Sequence, residues 1–272
     1  MSAQLFVVAT PIGHLDDMTY RAIEVQKSVK IIAAEDTRTS AQLLKHFNIQ
    51  TPLTACHDHN ESNKIDILIQ RLLKGEDMAL ISDAGTPLIS DPGFKLVRAA
   101  QEHNIRVIPV PGACAAIAAL SSVGLPSDRF SFEGFLSSKQ TQRLASLEKL
   151  KDETQTLIFY EAPHRIMKTL NMMLGVFGDR DISISREITK KFETIYRGKL
   201  SDVIKNIPEK GEFVIVVSGC DEKVIDDNLS INEAVDLYIK AGLDVMTAIK
   251  KVAKDRKIPK NEVYKEYHKE GK

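Results

Sequence analysis

The 272-residue chain predicts an α/β protein: an N-terminal parallel α/β sheet, a second domain of α+β type with a mixed sheet, and a short helical C-terminal tail. Three observations carry this expectation. Short β runs alternate strictly with amphipathic helical patterns over the first 123 residues, which implies a parallel sheet with helices on both faces. The rhythm changes after a linker-like stretch, Gly124-Leu-Pro-Ser-Asp128, and strands there begin to follow one another directly. The last forty residues lose the strand signal and become Lys-rich helices. The predicted division is 1–123, 124–222 and 230–272.

Taken in order, the first strand is expected at 5–9 and a helix at 19–28. A strand at 29–34 leads to a helix at 38–46, a strand at 52–56 to a helix at 60–73, and a strand at 78–82 to a helix at 94–103. Asp91 and Pro92 suit the N-cap and first position of that helix. A strand at 105–110 and a helix at 113–121 complete the domain. Right-handed crossovers would bring every strand-to-helix loop to one edge of the sheet. In the second domain, a strand at 130–136, a helix at 139–150 and a strand at 156–161 are expected. Pro163 suits the first turn of a helix running to about Leu174. Residues 182–187 and 193–197 are expected to form an antiparallel pair. Ser201 suits the cap of a short helix, 211–219 is a strong strand, and two or three short helices follow from Ser230.

With 43% hydrophobic and 27% charged residues, the composition is that of a soluble globular protein. No apolar run approaches the twenty residues that cross a bilayer, so no membrane partner is expected. Residues 5–9 are too short for a signal-peptide core. Cys56, Cys114 and Cys220 are odd in number and far apart, which points to a reducing compartment, a cytoplasmic location and no disulfide framework. A formal net charge of zero excludes a broadly basic nucleic-acid binder. The charge is uneven, however: residues 240–272 hold ten Lys/Arg and five Asp/Glu, and the rest of the chain is acidic by the same margin of five. Contact with RNA would therefore rest on local cations, namely Lys139, Arg143, Arg165, Arg186, Lys190, Lys191 and the tail from 250 to 260. That tail is equally a solvated helical face.

Four motifs fall at predicted strand ends: Ala9-Thr-Pro-Ile-Gly-His14, Ala34-Glu-Asp-Thr-Arg38, the long loop Ser82-Asp-Ala-Gly-Thr-Pro-Leu-Ile-Ser-Asp-Pro-Gly93, and the small-residue run 109–118 around Gly112. Open α/β sheets bind ligands at that edge. The loops contain neither a Walker lysine nor a G-x-G-x-x-G run. The segment Cys56-His-Asp-His-Asn-Glu61 matches no closed zinc spacing. No metal is expected there, and a helix cap at Asn60 is the simpler reading.

These motifs, with Glu161-Ala-Pro-His-Arg165, resemble the tetrapyrrole methylase superfamily, and within it the branch of ribosomal RNA small subunit methyltransferases I. The resemblance spans almost the whole chain. It implies a homodimer of two-domain subunits that binds S-adenosyl-L-methionine in an interdomain cleft. The implied reaction is methylation of a cytidine ribose 2′-hydroxyl in the decoding region of small-subunit (16S) rRNA. Asp83, Gly85, Pro87, Leu88 and Ile89 would form a wall for the cofactor. Pro11, Gly13 and Gly112 lie in the adjoining loops, Ser121 and Ser122 end the helix after the fourth loop, and Tyr160 comes from the second domain. Phe159 is better explained as a core aromatic.

For proton acceptance or substrate orientation the candidates are Glu35, Asp36, His57, His59, Glu161 and His164. Arg38, Arg165, Arg186 and Lys190 suit phosphates. Plainer roles compete: Asp36 suits a helix cap, and Arg186 with Glu187 a cross-strand ion pair. Methylation of a tetrapyrrole carbon and a non-catalytic RNA-binding or ribosome-assembly module remain alternative functions.

Overall fold

A computed structural model of the chain describes residues 3–56, 61–220, 229–240, 242–256 and 258–269. The first half builds a five-stranded sheet. Its elements are β1 (Gln4–Val8), α1 (Tyr20–Ser28), β2 (Ile31–Ala34), α2 (Thr37–His46), β3 (Leu53–Ala55), α3 (Glu61–Leu73), β4 (Met78–Ile81), α4 (Phe94–Glu102), β5 (Arg106–Val110) and α5 (Ala115–Val123). The order is β3-β2-β4-β1-β5, and every pairing is parallel, as the alternation predicts. All four residues of β2 and of β4 are buried, the signature of strands covered on both faces. Alternate side chains enter opposite layers. Ile31, Ala33, Met78 and Leu80 pack with Leu68, Leu72 and Leu96 on one side. Ile32, Ala34, Ala79 and Ile81 pack with Ala22 and Leu44 on the other.

The strand order has a functional consequence. The chain leaves β1 toward β2 and leaves β4 toward β5, so the two central, adjacent strands send their connections in opposite directions. That is the switch point at which open α/β sheets form a crevice.

The second sheet contains β6 (Phe130–Phe135), β7 (Thr156–Glu161), β8 (Asp181–Arg186), β9 (Thr194–Lys199) and β10 (Phe213–Val217), in the order β6-β7-β10-β8-β9. Only β6 and β7 run parallel, so the sheet is mixed, and β8 pairs antiparallel with β9. The helices α6 (Gln140–Leu150), α7 (Ile166–Phe177) and α8 (Leu200–Val203) contribute Leu147, Leu170, Met173 and Leu200 to a core with Phe159 and Ile215. The opposite face presents Ile158, Val214 and Val216 to Ala116, Ala119 and Leu120 of α5. A helix of the first half thus packs on the second sheet, and Met1–Gly219 forms one compact unit.

Three helix caps differ from expectation. α4 begins at Phe94 with Gly93 as its N-cap at φ 119°, so Asp91 and Pro92 lie ahead of it. The Asp91 carboxyl instead accepts from the Ser82 hydroxyl, near enough to Glu35 and Asp83 for their charges to raise its pKa. α7 begins at Ile166, three residues after Pro163, because the Arg165 N–H closes a turn on the Ala162 carbonyl at 3.1 Å. It runs on to Phe177. α8 is capped by Lys199, and Ser201 lies inside it, donating its N–H and its hydroxyl to Asp179.

A second unit, Cys220–Lys272, contains α9 (Ile231–Lys240), α10 (Val245–Asp255) and α11 (Lys260–Lys269). Ala234, Val235, Ala248, Ile249, Val252 and Val263 form its core. Ser230 and Glu233 make a reciprocal capping box at the start of α9, and Asp244 caps α10.

The Gly93 cap generates a stability prediction. A Cβ at this position would lie 2.7 Å from Leu80 Cδ2, at a backbone angle that L residues rarely adopt. Gly93→Ala is expected to cost about 1–2 kcal/mol and to lower the thermal midpoint by roughly 2–6 °C, as measured by calorimetric melting.

Candidate active site

The site grows from a two-residue bridge at the switch point. The Thr10 N–H donates to the Gly85 carbonyl at 2.8 Å, and the Gly85 N–H returns to the Thr10 carbonyl at 3.1 Å. The Thr10 hydroxyl adds a bond to the Ser82 carbonyl at 3.2 Å. The loop beyond cannot continue as ordinary strand or helix: Gly85, Leu88, Ser90 and Gly93 all have positive φ, at 82°, 72°, 67° and 119°. Two of them carry side chains, so the path stores strain that the surrounding contacts must hold. Thr86 supplies one such contact, its hydroxyl donating to the Ala113 carbonyl at 3.0 Å. Gly112 permits another, since a Cβ there would lie 2.9 Å from Ala9 Cβ.

Above these loops lies a cavity of about 410 Å³, within the range of small-molecule sites. Gly85, Thr86, Ile89, Ser90, Asp91, Cys114 and Ala115 line it from the first half of the chain. Phe135, Tyr160, Phe213 and Val214 face them from the second sheet. A register shift in β6 brings Gly134 beside the strained loop, where a Cβ would stand 3.0 Å from Ser90 Oγ. Tyr160 is clamped edge-on by Phe132 and Phe135, with ring centroids 4.9 and 5.5 Å away. Its oxygen accepts the Ala116 N–H at 3.1 Å. Burial, the neighbouring Cys114 and the Asp91 charge raise its pKa, so the phenol keeps its proton.

The ionisable groups divide by their partners. Burial pushes the Asp91 carboxyl up to about 7, and the charges of Glu35 and then Asp83 add to the effect. The Ser82 hydroxyl opposes the rise by donating to Asp91. That hydroxyl also lies 3.4 and 3.3 Å from the Ala84 and Gly85 carbonyls; it has one proton, and the carboxylate is the stronger acceptor. Asp83 accepts the Asp36 N–H at 3.1 Å, which joins the second loop to the third. Asp36 itself caps α2, and the Arg38 side chain and N–H hold it down to about 2.

Glu161 is almost wholly buried. It accepts from Arg165 Nε at 2.7 Å, Arg165 Nη2 at 2.6 Å, Thr169 Oγ1 at 2.6 Å and its neighbour's N–H at 2.8 Å. Arg143 completes this network through Thr169 at 3.0 Å. Lys190 lines the cavity and pairs with Glu187 at 3.2 Å and Glu212 at 2.8 Å. Burial opposes its charge, but those two partners outweigh it and raise its pKa.

Of the residues singled out in the sequence, Gly85, Ile89, Tyr160, Glu161 and Lys190 line the cavity. Glu35 and Asp83 stand beside Asp91 at its edge. Pro11 and Gly13 lie in the loop after β1; a Cβ on Gly13 would meet Lys190 Cγ at 2.5 Å, and the next N–H, of His14, bonds Thr189 Oγ1 at 3.2 Å. Pro87 turns the third loop, and Leu88 packs into the first core. Ser121 and Ser122 sit on the last turn of α5, bonded to the Ala118 and Ala119 carbonyls and away from the cavity lining. Arg38 pairs with Asp36, His164 is exposed in the turn before α7, and Arg186 donates to the Lys210 carbonyl at 2.6 Å. Phe159 is in the core. His57 and His59 lie outside the described residues. Among the described residues, no group of three or more His, Cys, Asp or Glu is arranged to hold a metal ion.

The sequence reading missed Asp91, Thr86, Cys114 and Ala115 as cavity residues although they fall within motifs already quoted, where the signal was their position in a strand-end loop. It also missed Phe135, Ile188, Glu212, Phe213 and Val214 of the second sheet and its turns, which lie outside those motifs.

The sequence matches the family of Tetrapyrrole (Corrin/Porphyrin) Methylases over residues 4–204. The chain belongs to this family. Within it, a protein of Halalkalibacterium halodurans is 47% identical over 274 aligned positions, 98% of this chain and 95% of that relative. A protein of Pseudomonas aeruginosa is 55% identical over 221 positions, 79% of this chain and 78% of its own length. Both are named ribosomal RNA small subunit methyltransferase I. Among solved structures, a diphthine synthase superposes with a TM-score of 0.63 at 14% identity, covering 80% of this chain and 90% of that one. The uroporphyrin-III-C-methyltransferase of Thermus thermophilus gives 0.55 at 17%, covering 79% and 94%. These two likenesses establish the tetrapyrrole-methylase fold.

The buried Glu161–Arg165 pair generates the second prediction. Arg165→Ala strands a carboxylate among core side chains and is expected to cost about 3 kcal/mol in urea unfolding. Glu161→Gln combined with Arg165→Met, which removes both charges, should recover more than half of that loss.

Proposed function

We propose that the chain is an S-adenosyl-L-methionine-dependent methyltransferase of small-subunit rRNA, which methylates a cytidine ribose 2′-hydroxyl in the decoding region. The observation that carries the proposal is near-half identity along 98% of the chain to a relative named for that substrate. The cavity suits the cofactor. Ile12, Ile89, Phe135 and Val214 offer an apolar wall, Gly85 allows the chain to approach closely, and Asp91 places a carboxyl at one end. When bound, the cofactor supplies an electrophilic methyl group on a sulfonium cation. The chain's own residues then have two tasks. Thr86, Tyr160 and the strained loop fix the position of the reacting groups, which is the larger part of catalysis for a weak nucleophile. The enclosing second sheet keeps out water, which would otherwise compete for the methyl group.

For RNA, some sequence candidates are otherwise engaged: Arg143 and Arg165 spend their guanidinium forks on Ser137, Ser138, Thr169, Leu136 and Glu161. Lys139, Lys191 and, in the tail, the exposed Lys250, Lys254 and Lys260 suit phosphates. Lys191 lies 5.7 Å from the ring of Phe192, which is 65% exposed at the turn between β8 and β9. An exposed aromatic beside a cation suits an unstacked base. A homodimer and a cytoplasmic location belong to the same proposal through the family resemblance. Tetrapyrrole methylation has behind it the name of the broad family and solved structures at 17% identity or less, which speak for fold alone; the relatives at 47–55% identity are named for rRNA.

Gly85→Val forces a β-branched residue to φ 82° and against Ile12, while Asp83→Ala frees the second loop from the third. Each is expected to weaken cofactor binding at least about tenfold by calorimetry, roughly 1.4 kcal/mol, with the native fold retained by circular dichroism. Unchanged affinity in both variants would remove the loop from the cofactor site. The substrate is tested by mass-spectrometric mapping of rRNA from a strain lacking the protein. One ribose methylation should disappear from the small subunit and return on complementation.

A further inference from the structure

We propose that Asp91 takes the proton from the methyl-accepting hydroxyl, and that it does so from the cavity wall beside the departing sulfonium charge. The inference deepens the function proposed above and rests on it. Glu161 has its oxygens occupied by Arg165, Thr169 and the Ala162 N–H. Tyr160 retains its proton and can donate but not accept it. Lys190 is a cation paired with Glu187 and Glu212. The thiol of Cys114 sits against the Tyr160 hydroxyl. Asp91 alone among these carboxyls faces the cavity with no cation bonded to it, its described partner being the Ser82 hydroxyl.

The groups around Asp91 give it a basicity that an ordinary carboxylate lacks. Burial, Glu35 at the end of β2 and Asp83 at the tip of β4 all disfavour its charge and place its pKa at about 7. A general base works best near the ambient pH. A cation entering the cavity favours the charged carboxylate, so cofactor binding expels any proton Asp91 holds. Methyl transfer then reverses the balance. The O2′–C bond forms as the S–C bond breaks, the S–C electron pair stays on sulfur as a neutral thioether, and the hydroxyl proton passes to Asp91. One cation and one carboxylate become a neutral thioether and a neutral carboxyl. The carboxylate therefore becomes a stronger base as the methyl group leaves, when the hydroxyl becomes acidic.

The test has a binding arm and a kinetic arm. Calorimetry at pH 7, in buffers of different ionisation enthalpy, should show the native protein releasing about half a proton per S-adenosylmethionine bound. It should release fewer for the product S-adenosylhomocysteine, which lacks the sulfonium charge, and none in Asp91→Asn. With small ribosomal subunits as acceptor, the native kcat/KM for the cofactor should rise with pH to about 7 and level off above it. Asp91→Asn should lower single-turnover transfer by about 100-fold or more and abolish that rise, while Asp91→Glu restores part of both.

Equal proton release by native and Asp91→Asn protein, a native profile flat from pH 5 to 9, or a variant within threefold of the native rate would each overturn the assignment. So would a profile abolished by Cys114→Ser and kept by Asp91→Asn. A native protein that binds the cofactor with proton release but transfers no methyl to subunits would overturn the proposed acceptor, and the hydroxyl step with it.

Discussion

The two hydrogen bonds between Thr10 and Gly85 are the constraint from which the site follows. They tie the loops leaving β1 and β4 at the point where those strands send the chain in opposite directions. With Gly85 anchored, the next eight residues must reach the start of α4 by a route that includes two positive-φ side-chain residues, Leu88 and Ser90. That route turns Leu88 into the core and Ile89, Ser90 and Asp91 toward the cavity. A looser crossing between the loops would let residues 91–93 relax into the ordinary Asp-Pro helix start that their local chemistry favours.

Much of this was legible in the sequence. The parallel sheet was visible because β2 and β4 are continuous apolar runs between amphipathic helices, a pattern that only strands buried on both faces require. The antiparallel β8–β9 pair was visible because too few residues separate its strands for a crossover. Asp91 was misread because Asp followed by Pro is a sound local signal for a helix start; the tertiary hydrogen bond from Ser82 holds its carboxyl elsewhere. Arg143 and Arg165 looked like surface cations because their acceptors, Leu136, Ser137, Thr169 and Glu161, come together only when α6, α7 and β7 pack. Phe135 could not be read as a cavity residue, since its role depends on a second sheet closing over the first.

Adjacent residues on β7 divide the work of this second sheet. Tyr160 closes the cavity, and Glu161 anchors a buried network that reaches α6 through Thr169 and Arg143. The wall that meets a ligand is therefore bonded to the interior of the domain rather than carried on a mobile loop. Rigid support of this kind favours preorganisation over induced closure.

The contact between the loop after β1 and the turn between β8 and β9, through Gly13, His14, Thr189 and Lys190, joins segments 175 residues apart. Closing so long a stretch of chain costs entropy that nearby pairings do not incur. Each sheet can form from closer partners without this contact. The same reasoning applies to the finished protein. Ile188 at the base of the turn packs on the core beside α5, whereas Lys191 and Phe192 at its tip are exposed, which makes the tip a natural place for local opening. Under the proposed function, that opening would let a bulky acceptor reach a site already filled by a small cofactor.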